Sequence, residues 1–160
     1  MTTPDTHTVQ LHRVLRAPAE RIYRAFLDAD AIVKWVPPNG YTGTVHQLAP
    51  QVGGAYKMSF TNFSTGKRIT FGGEYLELVP NELLHYTDRF DDPDLPETML
   101  VTVRLKALGS STEVHITQAD VPATIPAEAC YLCWQESLAL LAQLVEADLN
   151  SPKDPPEAAT

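Results

Sequence analysis

The sequence predicts an α+β domain: a curved antiparallel sheet wrapped around a long C-terminal helix. Three observations carry this. Apolar residues alternate with period two through the middle of the chain, as in Tyr56, Met58 and Phe60 against Lys57, Ser59 and Thr61. The period changes to 3.6 after Pro126, where Cys130, Trp134, Leu138, Leu141 and Val145 form one stripe over Ala127–Leu149. Two glycine pairs, Gly53-Gly54 and Gly72-Gly73, fall where a strand would turn or bend.

Each element follows from local chemistry. Val9–Arg16 alternates partly and reads as a strand. Pro18 suits the first turn of a helix, where its missing N–H costs nothing, and Ile22, Ala25, Phe26 and Ala29 follow at helical spacing. Asp28 or Asp30 caps a second short helix that runs through Trp35, and Pro37-Pro38-Asn39-Gly40 stops it. Tyr41–Leu48 is a strand, Gly53-Gly54 a turn or bulge, and Ser64-Thr65-Gly66-Lys67 a hairpin turn. Arg68–Val79, Leu83–Phe90, a strand from Met99, and Glu113–Ala119 complete the set. Consecutive strands joined by short turns form an antiparallel meander, which the first strand joins. The helix stripe can be buried only against that sheet. A strongly curved sheet and one helix need not fill the space between them, and such gaps take apolar ligands.

The 160 residues fit one domain. The expected limits are a disordered tail over 1–7, the domain over 8–149, and a disordered tail over 150–160, where SPKDPPEAAT offers no large apolar side chain. Net charge is −8, which repels phosphate backbones, so no nucleic-acid partner is expected. The polar N-terminus lacks a signal-peptide core and no stretch is apolar enough to span a membrane, so the expected address is cytoplasmic with no integral membrane contact.

Few residues suggest covalent chemistry. Cys130 and Cys133 lie three apart inside a helix, without the second ligand pair of a structural zinc site or the strand-to-helix start of a redox motif, and read as small packing residues. His7, His12, His46, His85 and His115 are scattered and lack HExxH spacing; on strands, His46, His85 and His115 read as solvent-facing or hydrogen-bonded. Glu74, Glu77, Asp88 and Asp120 are strand carboxylates, any one of which would become an acid or base if buried. Arg68, Arg89 and Arg104 read as solvated. No GxSxG and no phosphate-binding glycine loop is present. Neither catalytic residue, nor metal, nor cofactor is expected.

The element order, the two glycine pairs, the run Gly73-Glu74-Tyr75-Leu76-Glu77-Leu78-Val79-Pro80 and the segment Trp134-Gln135-Glu136-Ser137-Leu138 resemble the START-like SRPBCC superfamily. Within it the chain is most similar to the Aha-type branch, named for an activator of a heat-shock-protein ATPase; the Ala17-Pro18 helix start and Trp35 also fit. The resemblance spans roughly residues 8–148 and implies a helix-grip fold with a deep cavity, but no single activity. One departure is Cys133, where the family often has Gly, which would narrow the cavity mouth or shift the helix.

The leading functional reading is a binding module that holds a small hydrophobic or amphipathic ligand between sheet and helix, without covalent chemistry. Parity and the helix stripe put Trp35, Tyr56, Met58, Phe60, Phe71, Met99, Val101, Val103, Trp134 and Leu138 around that cavity. The alternatives are a polyketide cyclase- or hydrolase-like enzyme using polar groups in the same cavity, and a chaperone-interacting module with a protein partner.

Overall fold

The computed structural model describes residues 6–146. The order is β1 (Thr6–Leu15), α1 (Ala19–Leu27), α2 (Ala29–Trp35), β2 (Tyr41–Leu48), β3 (Ala55–Asn62), β4 (Arg68–Val79), β5 (Leu83–Phe90), β6 (Met99–Leu108), β7 (Ser111–Pro122) and α3 (Ala127–Val145). All strand pairs are antiparallel, in a seven-stranded curved open sheet ordered β1-β7-β6-β5-β4-β3-β2. The meander is as the alternation predicts, and the first strand joins it beside the last.

β1 begins earlier than the expected domain limit. Thr6 and His7, assigned to the tail from sequence, pair with Pro122 and Val121. They find partners because β7 continues past a bulge near Asp120, whose φ of 63° lies in the left-handed region. The expected helix to Leu149 is seen as Ala127–Val145; Leu149 and the expected C-terminal tail lie outside the described residues. No helix among the described residues is long and apolar enough to cross a membrane.

The ends of the short helices are fixed by few bonds. Pro18 is the residue before α1 rather than its first turn, with extended backbone. Asp28, not Asp30, caps α2: its Oδ1 accepts from the N–H of Asp30 at 2.9 Å and of Ala31 at 3.2 Å. Trp35 locks α2 onto α1, donating its indole N–H to the Ala25 carbonyl at 2.9 Å and meeting Phe26 edge-on at 4.7 Å.

The core lies toward one end of α3. Leu138, Leu141, Ala142 and Val145 pack on Leu15, Ile22, Ala25, Leu84, Val103 and Leu105. Each fully buried large aliphatic there contributes about 1.5–3 kcal/mol. In the first half of α3, Cys130 and Tyr131 pack on a smaller cluster of Val9, Met99 and Val121, while Ala129, Cys133 and Trp134 border a void.

Gly72-Gly73 does more than bend β4. Neither residue has a positive φ. A Cβ on Gly72 would collide with the Tyr56 carbonyl of β3, and one on Gly73 with the Thr87 carbonyl of β5. The pair lets neighbouring backbone approach from both sides.

Candidate functional site

A cavity of about 320 Å³ lies between the sheet, α2 and the first half of α3. Of the residues expected around it, Trp35, Tyr56, Met58, Phe60, Phe71, Met99, Val101 and Trp134 line it. Val103 and Leu138 do not: both are packed in the solid core one step further along β6 and α3. Alternation tells which face a residue occupies, but not how far along the element the layers close. Trp134, expected to be buried, is half-buried, because one side of its ring faces the void.

Several wall residues lie outside the expected set. Ile32 comes from α2 and Val36 from just after it, Tyr75 from β4, Tyr86, Asp88 and Phe90 from β5, and Gln118 from β7. Leu84, Tyr86, Asp88 and Phe90 share one strand face, so the parity of β5 already turns Asp88 inward.

Asp88 is the one carboxyl among the described residues that line the cavity. Its partial accessibility is to this interior, surrounded by aromatic rings, so the carboxyl is desolvated although not sealed off. Desolvation raises its pKa from 3.8 to about 7, against the opposing pull of hydrogen bonds from Tyr56 and the Arg89 backbone N–H. The Tyr56 hydroxyl is 3.0 Å from Asp88 Oδ1 and 2.9 Å from the Thr87 carbonyl, sharing its proton between them. Tyr56, Tyr75 and Tyr86 form a triangle with ring centroids 5.6, 5.8 and 5.9 Å apart. Burial raises the pKa of Tyr56 and Tyr86 and pushes Tyr75 up to about 12, so all three phenols stay neutral near pH 7.

Three other polar side chains of the wall are bonded to the protein. Trp134 donates its indole N–H to Gln118 Oε1 at 2.8 Å, Gln118 Nε2 reaches Met99 Sδ at 3.2 Å, and Ser137 donates to the Val36 carbonyl at 2.7 Å. This chain joins β7, β6, α3 and the end of α2 across the cavity and holds its shape.

The other candidates fall elsewhere. His46 Nε2 lies 2.6 Å from Ser59 Oγ, and His85 Nδ1 lies 2.9 Å from Thr102 Oγ1; neither ring lines the cavity. Glu74, Glu77, Arg68, Arg89 and Arg104 do not line it either. The histidines read as scattered include one pair that the sheet brings together. His12 and His115 are directly opposed across β1 and β7, with ring centroids 4.5 Å apart. No local spacing reveals that register.

Cys130 and Cys133 are free thiols on the cavity side of α3, half-buried and exposed respectively. Desolvation raises both pKa values, aided at Cys130 by Cys133 and at Cys133 by Glu136. Reduced protein is therefore expected to show two thiols to a disulfide reagent after unfolding, and slow alkylation of the folded protein near neutral pH that accelerates in alkali. Rapid alkylation at pH 7, or fewer than two thiols, would contradict this.

Known proteins share both the sequence pattern and the fold. The family model described as Activator of Hsp90 ATPase homolog 1-like protein matches residues 16–146. A solved protein of Chromobacterium violaceum is 53% identical, with a TM-score of 0.87 over 88% of this chain and 98% of that one. A Rhodobacter sphaeroides protein shares the fold at 18% identity and TM-score 0.79, over 91% of this chain and 96% of its own. A Mycobacterium smegmatis protein does so at 17% and 0.72, over 95% and 96%. No curated protein matches. With its curved seven-stranded sheet gripping a C-terminal helix and a family match over most of its length, the chain belongs to the Activator of Hsp90 ATPase homolog 1-like protein family, in the START-like SRPBCC superfamily.

Proposed function

We propose that the domain binds a small amphipathic molecule, with its apolar body in the cavity and a cationic or hydroxyl head at Asp88. The observation that supports this most is a cavity of about 320 Å³ whose walls are mostly apolar and carry one desolvated carboxyl. Pockets of this kind take their affinity from apolar burial and their orientation from a few convergent polar groups. A carboxyl held in such surroundings weakens the fold at neutral pH, a cost typical of functional positions. Above pH 7 an ammonium head would pair with the ionised Asp88 and an anionic head would meet a like charge, while a hydroxyl head can bond to either form. Met58 and Met99 give two opposed strands adaptable side chains, which suits a site that accepts varied shapes.

Thermal unfolding in the presence of octylamine, octanol and octanoate tests this. The amine and the alcohol are expected to stabilise the domain, by about 2.7 kcal/mol at a hundredfold excess over the dissociation constant. Octanoate is expected to do so far less. Val101 is fully buried at the cavity wall, and Val101→Trp should fill the space and abolish the effect in a folded domain. No stabilisation by any of the three, or equal stabilisation of Val101→Trp, would reject the proposal.

A second reading, a cyclase- or hydrolase-like enzyme, is favoured by the same carboxyl. An acid with a pKa of about 7 beside a phenol is suited to proton transfer near neutral pH. Turnover that disappears in Asp88→Asn while binding persists would select it.

A further inference from the structure

The outer face of the sheet, away from the cavity, carries a second constellation. We propose that His12, Glu113 and His115 form a binding site for a divalent transition-metal ion that clasps the edge strand β1 to β7. His12 and His115 are Cα partners across the two strands, and Glu113 follows the same side of β7 two residues before His115. Their donor atoms all lie within 4.8 Å of one another. His12 Nε2 is 3.3 Å from Glu113 Oε1, and His115 Nε2 contacts the same oxygen.

The His12–Glu113 separation matches what an ion needs, and His115, which contacts the same Glu113 oxygen, would have to draw back slightly to admit it. Zinc binds imidazole nitrogen and carboxylate oxygen at about 2.0–2.2 Å, which sets neighbouring donors of a tetrahedron about 3.3–3.6 Å apart. The register of the two strands fixes the three side chains on one patch, so little ordering is required on binding. β1 is an edge strand, and the His12 and His115 side chains are half exposed, so water can take the fourth position. Two imidazoles and a carboxylate, with no thiolate, suit Zn²⁺, Co²⁺, Ni²⁺ and most strongly Cu²⁺. Opposing charge sets the strength. On β6, Arg104 pairs with His115 and Lys106 with Glu113, which places two cations beside the site. With three protein ligands and those neighbours, the affinity belongs in the micromolar range rather than that of a closed structural site.

Co²⁺ and Zn²⁺ titrations of the untagged full-length chain in a non-chelating buffer test the proposal. One Co²⁺ per chain is expected, with visible absorption bands of a four-coordinate nitrogen–oxygen site that Zn²⁺ bleaches. His12→Ala and His115→Ala should each weaken binding at least tenfold, and His46→Ala should leave it unchanged. Zn²⁺ should raise the melting temperature of the wild type, but not of His115→Ala. Since both histidines are solvent-facing, the variants should keep the wild-type far-ultraviolet spectrum; His12→Gln and His115→Gln serve if alanine disturbs the strand pair. Three outcomes would overturn the proposal: no binding up to millimolar metal, binding unaffected by either histidine substitution, or the near-ultraviolet sulfur-to-metal bands that Cys130 and Cys133 would give.

Discussion

An Asp88→Asn variant is expected to lose most of the fall in stability that the wild type shows between about pH 4 and pH 8. Asp88 rises from 3.8 to about 7 on folding, because burial penalises its charged form. Between those values the folded chain keeps a proton that the unfolded chain has released, so stability decreases as pH rises. The contribution is complete below the unfolded value and is gone once pH passes the folded one. The rise from 3.8 to about 7 corresponds to up to about 4 kcal/mol. Asparagine keeps the shape and an oxygen that can accept from Tyr56, but does not ionise. The stability of the Asp88→Asn variant relative to the wild type should therefore grow from near zero at pH 4 to several kcal/mol at pH 8. Urea unfolding of both proteins across that range measures the difference directly, with the other titrating groups cancelling. A difference independent of pH would show that Asp88 is hydrated, and would remove the desolvated carboxyl from the site.

Gly73→Ala should be the most damaging methyl group that can be added to the sheet. The new Cβ would fall on the Thr87 carbonyl, and it would also meet Thr87 Oγ1 at 2.9 Å. That hydroxyl accepts from the Glu74 N–H, so the hydrogen bond is strained along with the backbone. The obstacle is main chain in the middle of a seven-stranded sheet, which cannot swing aside as a surface side chain can. A loss of about 3 kcal/mol or more follows, at or beyond the upper end for overpacking. Gly109→Ala provides the contrast. Its Cβ would meet nothing, and only its φ of 62° opposes the change, so a loss of about 1 kcal/mol is expected. Chemical denaturation of the two variants gives both numbers. Similar losses at the two positions would mean that β4 and β5 do not approach as closely as described.

Much of the fold is legible because parity is a local signal. β2, β4 and β5 keep the limits read from alternation, and α3 starts where the period changes. The site is less legible, for three physical reasons. Depth along an element is not encoded in its period, so alternation puts Val103 and Leu138 at a void when they are in solid packing. A polar residue on an inward face looks the same in sequence whether it ends in a cavity or at a sheet edge. Asp88 thus reads as one strand carboxylate among several, although Tyr86 and Phe90 share its face. Register between distant strands is set by the whole sheet, so nothing near His12 indicates His115. Gly72-Gly73 shows a subtler case. A glycine pair in a strand correctly signals an irregular place, but whether it serves a bend or the approach of neighbouring backbone depends on strands not yet assembled.

The central claim, that the space between sheet and helix receives an apolar body, is tested most directly by methyl NMR on the methionines. The chain has three: Met58 and Met99 line the cavity, while Met1 precedes the described residues. Titration with octylamine should move the Met58 and Met99 methyl resonances along one saturable curve, with a common dissociation constant, while Met1 stays in place. The same titration of Val101→Trp should move neither wall signal. Unshifted Met58 and Met99 resonances up to the solubility limit of the amine, or shifts of all three methionines without saturation, would contradict the account.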